Sequence, residues 1–213
     1  MTTSDPTADP DRRQAAGGSG ARDGQPAPGG RGARKRILAA ARDLFHRNGI
    51  NATGVAELCA AAHVSKRTLY QHFAGKEELV AAYLAGFAGD PAFPPEAILS
   101  RGDLAPRARL LEVFAALADG PRPLRGDPFI NAAVELPDPA GRAHRMAAEH
   151  KRRFAERLIG LARAAGARDA ERVGRRLALL YDGAAADVVV LDSPEPAAEA
   201  QAVAAAILHD ALD

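Results

Sequence analysis

Apolar side chains recur every three to four residues through most of this sequence, which is the period of an α-helix with one buried face. The first such run starts near Arg34 and ends at Asn48-Gly49, with apolar positions at Ile37, Ala41, Leu44 and Phe45. Neither the alternation of a half-buried strand nor an internal repeat stands out. The pattern therefore predicts an all-α protein.

Short helices follow the first one. Thr53 and Ser65 are residue types that favour the N-cap position, and each precedes a run of helix-forming residues. The Ala74-Gly75 pair ends the second of these runs, and a further helix begins at Lys76. The expected helices cover residues 54–62, 66–73 and 76–88.

Prolines at positions 91, 94 and 95 predict a loop and the edge of a domain. Pro and Gly also predict a loop over residues 119–128, because neither residue continues regular structure. The remaining stretches keep helical periodicity, with expected helices over 106–118, 129–136, 140–165, 170–191 and 196–212. Residues 1–32 are rich in Gly, Pro, Asp and Arg without any period, which is typical of a disordered arm.

Charge is distributed unevenly along the 213 residues, although the net charge is only +1. Residues 33–78 contain 8 Lys and Arg against 4 Asp and Glu, a surplus of +4, whereas residues 79–213 contain 16 against 19. A compact basic segment joined to a mildly acidic remainder indicates a nucleic-acid-binding module, 33–78, attached to a domain with another task, 79–213.

Several classes of protein are disfavoured. A single cysteine, Cys59, allows no internal disulfide framework and fits a reducing cytoplasm, and the polar N-terminus lacks the apolar core of a signal peptide. Charges interrupt every apolar run before it reaches membrane-spanning length. Neither a catalytic constellation nor metal-ligand spacing is evident, so we expect no enzyme, no cofactor, no metal and no membrane.

Residues 54–73 have the form of a helix-turn-helix, in which the second helix enters the DNA major groove and its first residues meet the bases. Leu69 and Phe73 lie four residues apart and can face the core. The expected DNA-facing set is Ser65, Lys66, Arg67, Thr68, Tyr70 and Gln71, with His72 as a further candidate. Arg can bind guanine through two hydrogen bonds, and Gln can do the same with adenine.

Lysines stand at the start of two helices, Lys66 and Lys76, where the helix dipole disfavours a cation. A phosphate at either site would meet free backbone N–H groups and an ammonium together, which explains the placement. Phosphate contacts of this kind fix the register on DNA without reading sequence, and Arg34, Thr53 and Tyr70 are further candidates for them.

Residues 34–84 resemble the TetR family of bacterial transcriptional regulators, above all in VSKRTLYQHF followed by GKEEL. This resemblance implies a three-helix DNA-binding domain, a fourth linking helix and an all-α C-terminal domain that forms homodimers through its last two long helices. It also matches Thr53, Lys66, Thr68, Tyr70 and Lys76 to positions that touch DNA. His63 departs from the family, which often has Gly in this turn, but His tolerates left-handed backbone better than most residues.

Two apolar stripes independently favour a dimer of four packed helices. One stripe is expected at Leu177, Leu180, Tyr181, Ala184, Val188 and Leu191, and the other at Ala200, Val203, Ala204, Ile207 and Ala211. Packing within one subunit could use one of these stripes, but scarcely both. The cluster Lys151-Arg152-Arg153 is expected on a solvated helix face.

The family resemblance also implies an effector cavity in the C-terminal domain. Its candidate lining is Phe87, Phe114, Phe129, Asn131, Glu135, His150 and Tyr181, although for any single residue ordinary core packing is the better explanation. The predicted function is a sequence-specific DNA-binding regulator, a repressor that binds a near-palindromic double-stranded operator as a homodimer under control of a small-molecule effector. The alternative is an architectural or interaction protein that binds DNA without an effector.

Overall fold

The structure is a computed structural model that describes residues 31–87, 94–119 and 125–212. This part of the chain contains helices and connecting turns and no strand, which confirms the predicted fold class. The helices are α1 Arg31–Asn48, α2 Val55–Ala61, α3 Lys66–His72, α4 Lys76–Ala85, α5 Pro94–Leu99, α6 Pro106–Asp119, α7 Pro128–Glu135, α8 Arg142–Ala164, α9 Ala170–Val190 and α10 Glu195–Leu212.

Two apolar cores organise these helices. The first core joins α1 to α4, which we call the head, to α7 and the first half of α8. The second core joins α5, α6, the second half of α8, α9 and α10. We call α5 to α10 the body. Helix α4 contacts α1 on one side and α8 on the other, so it is apolar on nearly all sides, and Leu79, Ala81 and Leu84 are all buried.

Local caps fix several helix starts where the sequence predicts them. The Ser65 hydroxyl accepts the Thr68 N–H at the start of α3, as expected. At the start of α7, Asp127 accepts the N–H groups of Phe129 and Ile130. Asp169 accepts the Arg172 N–H at the start of α9. Each cap satisfies backbone donors that the first helical turn cannot.

Two local predictions were wrong. Thr53 is not an N-cap: Gly54 occupies that position, and the buried Thr53 hydroxyl donates instead to the Gly49 carbonyl at 2.7 Å. Pro94 and Pro95 do not belong to a loop but form the first turn of α5, where the missing N–H of proline costs no helical hydrogen bond. The fourth helix ends at Ala85, with Gly86 as its C-cap, and is therefore shorter than the predicted 76–88. Pro91 and loop residues 120–124 lie outside the described residues.

The two stripes predicted for a dimer were also interpreted wrongly. Leu177 and Ala184 of α9 and Ala200 and Ala204 of α10 are all buried in the second core, so both stripes pack largely within one subunit. Helices α8 and α9 lie very close together at Gly174, where a Cβ atom would be 2.5 Å from the Ile159 backbone nitrogen. Only glycine allows this approach.

Candidate nucleic-acid interface

The turn between α2 and α3 is a complete helix-capping motif. The Val64 N–H donates to the Cys59 carbonyl and the His63 N–H donates to the Ala60 carbonyl, which closes the end of α2. His63 has a φ of 51°, so it adopts the left-handed conformation expected for this position. The turn thereby sets the angle at which α3 leaves α2.

Helix α3 is anchored by one face and exposed on the other. Leu69 and Phe73 are buried in the first core, as predicted. Lys66, Arg67 and Gln71 are exposed, and Tyr70 is 52% exposed, so an aromatic ring with a phenol group faces solvent. Among the described residues, neither Lys66 nor Arg67 has a carboxylate partner that would neutralise it. The outward face of α3 is therefore cationic and polar.

Other predicted DNA contacts lie around this face. Ser65 and Thr68 form a pair at the start of α3, with their hydroxyl oxygens 2.9 Å apart. His72 is half-buried near the end of the helix. Arg34 is exposed, and its guanidinium lies 5.3 Å from the centre of the Phe73 ring, which ties the start of α1 to α3.

Lys76 lies at the first position of α4, and its ammonium is 3.4 Å from the Asn51 carbonyl oxygen. Partial burial lowers the pKa of Lys76, while the nearby carboxylate of Glu135 acts in the opposite direction. The neighbouring acids are occupied by backbone donors: Glu78 accepts the Ala74 N–H, and Glu77 accepts the Arg142 N–H at 2.7 Å.

Thr53 is the one predicted DNA-facing residue that the structure removes from this surface. Its side chain is completely buried, and its hydroxyl is bound to the Gly49 carbonyl. The Thr53 side chain is therefore not exposed on this surface, and its hydroxyl already donates within the turn. The residue instead holds the turn between α1 and α2, whose Gly49 has a φ of 93°.

The seven residues predicted to line an effector cavity fall into different surroundings. Phe87 and Phe129 belong to the first core, and the buried His150 ring stacks on Phe129 at 3.6 Å. Phe114 and Tyr181 meet edge to face in the second core. Asn131 and Glu135 point elsewhere: the Asn131 amide donates to the Arg125 carbonyl, and Glu135 faces the head.

Sequence reasoning missed a partly buried charge network between these aromatic groups. The Lys151 ammonium lies 2.7 Å from both Asp127 and Asp182, which together raise its pKa although burial alone would lower it. The expectation of a solvated face was thus wrong for Lys151, whereas Arg152 and Arg153 are exposed. The sequence contained one signal for this burial. Lys151 lies four residues after Ala147 and three before Phe154, a spacing that places it on the same helix face as these two buried residues of α8.

Burial raises the pKa of the Tyr181 phenol, and the carboxylates of Asp127 and Asp182 add to this effect. The same two carboxylates bind Lys151, so these groups form one polar centre beside the rings of Phe114 and Phe154. Within the described part of the chain, no helix is both long and apolar enough to cross a membrane.

Comparison with known proteins identifies the class. A family model described as "Bacterial regulatory proteins, tetR family" matches residues 37–83. A TetR-family transcriptional regulator from Streptomyces coelicolor has a similar structure, with a TM-score of 0.77 and 32% identity over 85% of this chain and 97% of that one. A provisionally assigned TetR regulator from Streptomyces avermitilis gives a TM-score of 0.74 and 33% identity over 84% and 97%.

The chain therefore belongs to the TetR family of bacterial transcriptional regulators. It is a DNA-binding transcription regulator with an N-terminal helix-turn-helix and a helical C-terminal domain. The transcriptional regulator UidR of Escherichia coli is 41% identical over 51 residues, which span 24% of this chain and only 26% of UidR. These relatives are regulators rather than enzymes.

Proposed function

We propose that this regulator is a repressor that binds its operator as a homodimer and releases it when a small molecule occupies the body. The observation that carries the proposal is the outward face of α3, where Lys66 and Arg67 are exposed at the N-terminal end and have no carboxylate partner among the described residues. Cations at this position meet base edges and phosphates when the helix enters a major groove.

Individual roles follow from position. Arg67 and Gln71 read bases. Lys66 and Lys76 bind phosphates at helix starts, and the exposed Tyr70 binds a further phosphate. Ser65, Thr68, Arg34 and His72 contribute at the edges of the same surface. The proposed DNA-binding domain is residues 33–78 and the proposed regulatory domain is residues 79–213, so the boundary between them falls within α4. The protein acts in the cytoplasm.

An exposed apolar surface on α9 and α10 supports the homodimer. Leu179 and Val190 of α9 are 75% and 77% exposed, and Gly183 and Ala186 lie exposed between them at helical spacing. Helix α10 adds Val203, which is 38% exposed. Exposed small and apolar residues on two neighbouring helices allow a partner's helices to approach closely. Two heads joined in this way would enter successive major grooves of a near-palindrome, about 34 Å apart.

Effector control is supported by the polar centre around Lys151, which is enclosed by aromatic rings and connected to the head. Asp127 binds Lys151 and also caps α7, and α7 ends at Glu135, which binds the head. A molecule that disturbs the Lys151 centre would therefore act on α7 and shift the head, so effector and DNA would oppose each other by linkage.

Gel-shift titration tests this function with the DNA upstream of the protein's own gene and a random duplex of equal length. We expect the upstream DNA to bind more tightly. Arg67→Ala should relax the sequence preference by about 1–3 kcal/mol for each half-site. Lys76→Ala should weaken both duplexes alike and flatten the salt slope by about two units, because a dimer loses one phosphate contact from each subunit. Arg175→Ala on α9, where Arg175 pairs with Glu171, is the matched control.

Equal affinity of the wild-type protein for both duplexes would favour the architectural alternative. Light scattering at micromolar concentration tests the dimer, and Leu179→Glu should yield a monomer. Small molecules related to the products of neighbouring genes are the first effectors to test. A compound that binds the protein but leaves its DNA affinity unchanged would contradict effector control by that compound.

A further inference from the structure

An open groove of about 580 Å³ runs along the first half of α8, outside the helix-turn-helix. Four arginines line it: Arg142, Arg145, Arg152 and Arg153. All four are exposed. None of these four arginines belongs to either apolar core. An anionic partner could therefore bind here.

The groove begins where the body meets the head. The Arg142 backbone N–H donates to the Glu77 carboxylate at 2.7 Å, and Glu77 directly follows Lys76 in the first turn of α4. The first turn of α8 therefore rests on the helix start that is proposed to bind a phosphate. The start of α8 thus adjoins the start of α4, and Glu77 and Asp138 line the same crevice as Lys76.

The acids near this end of the groove are engaged with backbone donors. Glu77 is bound to the Arg142 N–H, and Asp138 accepts the Ala140 N–H. The Arg142 guanidinium has no ion-pair partner among the described residues, and Arg145 donates to a neutral carbonyl, that of Ala140. No ion pair among the described residues neutralises either guanidinium group, so both can bind an external anion.

Farther along α8, the arginines are paired with a carboxylate. Arg152 and Arg153 share the carboxylate of Glu149, at 3.6 and 3.8 Å. Arg152 also lies ten residues beyond Arg142, which is about 15 Å along the helix. The two ends of the groove therefore differ both in neutralisation and in distance from the head.

We propose that Arg142 and Arg145 bind backbone phosphates of the operator just outside the segment that α3 reads. The partner is double-stranded DNA, because a guanidinium binds phosphate through charge-assisted hydrogen bonds and the surface adjoins the DNA-binding head. This inference rests on the proposed function and extends it: the body lengthens the DNA site without adding sequence preference. Arg152 and Arg153 lie too far from the head to take part.

Fluorescence anisotropy with two duplexes from the upstream region tests the inference. One duplex ends at the boundary of the segment read by the head, and the other extends about six base pairs beyond each boundary. The wild-type protein should bind the longer duplex about tenfold more tightly at physiological salt, with a salt slope steeper by about three to four units, since a dimer would add four phosphate contacts.

Substitutions assign the effect to residues. R142A/R145A should bind both duplexes with the slope that the wild type has on the short one, and R142K/R145K, which keeps the charge, should restore most of the difference. R152A/R153A, the matched control on the same helix, should behave like the wild type. Circular dichroism and the melting temperature verify that each variant is folded.

The outcomes separate the two proposals. If the wild type prefers the upstream DNA to random DNA but binds long and short duplexes with equal slopes, the inference fails and the proposed function stands. The inference also fails if R142A/R145A retains the full difference between the duplexes, and an acidic protein partner would then account better for the groove. Failure of the wild type to prefer upstream DNA would overturn both.

Discussion

The backbone N–H of Asn51 donates to the Glu135 carboxylate at 2.6 Å, and the Asn51 side-chain amide donates to the Glu135 backbone carbonyl at 2.8 Å. Asn51 lies in the turn between α1 and α2, whereas Glu135 is the last residue of α7. Two hydrogen bonds from one residue thus hold the head against the body. The Asn51 carbonyl in turn accepts from Lys76, so the contact reaches a proposed DNA-binding residue.

We expect Glu135→Ala to lower the free energy of unfolding by about 1–2 kcal/mol, because the Asn51 N–H loses a charged acceptor. Hydrogen exchange at the Asn51 amide should accelerate at the same time. Glu135→Gln is the control, since its amide oxygen can still accept this hydrogen bond, and it should lose less stability. Unchanged exchange in Glu135→Ala would show that the contact does not restrain the head.

His63 adopts left-handed backbone, which disfavours every residue except glycine. His63→Gly should therefore raise the free energy of unfolding by about 1 kcal/mol. His63→Ala keeps the unfavourable backbone conformation and should bring no such gain. Urea denaturation of the three proteins measures both differences, and a stabilised alanine variant would place the effect in the side chain rather than in the backbone.

Substitution by alanine should change the stability in opposite directions at Gly174 of α9 and Gly160 of α8. Gly174→Ala should destabilise the protein by about 3 kcal/mol or more, because the new methyl group would meet the backbone of Ile159. Gly160→Ala should stabilise it by about 0.5–1 kcal/mol, since Gly160 lies within α8 and a methyl group there meets open space. Thermal melts of both variants test the close approach of α8 and α9, and equal effects would contradict it.

His150 gives the stability a specific dependence on pH. Burial lowers the pKa of His150 below its ordinary value near 6.5, against the opposing effect of Asp127 and Glu96. The unfolded chain therefore binds the proton more readily, so the contribution of His150 is complete above about pH 6.5 and is lost as the pH falls through the folded pKa.

The expected result is a shallower loss of stability between pH 6.5 and 5 in His150→Gln than in the wild type, as measured by urea denaturation. His209→Gln, at an exposed position near the end of α10, serves as the control and should follow the wild-type profile. Parallel profiles for the wild type and His150→Gln would show that His150 does not titrate in this range.

The sequence by itself determined every described helix except α5, together with the helix-turn-helix and the exposed face of α3. These features depend on local causes: apolar residues at helical period, a serine cap at Ser65, and a break at Asn48-Gly49. The pattern at Leu69 and Phe73 sufficed to orient α3 because a short helix with one apolar face has only one way to bury it.

Tertiary structure alone decided which side chains of the body are buried, ion-paired or exposed. Leu177 and Ala204 were expected at a dimer interface, yet both are buried in the core of one subunit, because a helical stripe does not record which neighbour covers it. Lys151 looked solvated until Asp127 and Asp182, 24 and 31 residues away, enclosed its ammonium. Thr53 was assigned to DNA although its hydroxyl is bound within the turn. Burial and ion pairing depend on residues that are distant in the chain, and helical periodicity reports only on near ones.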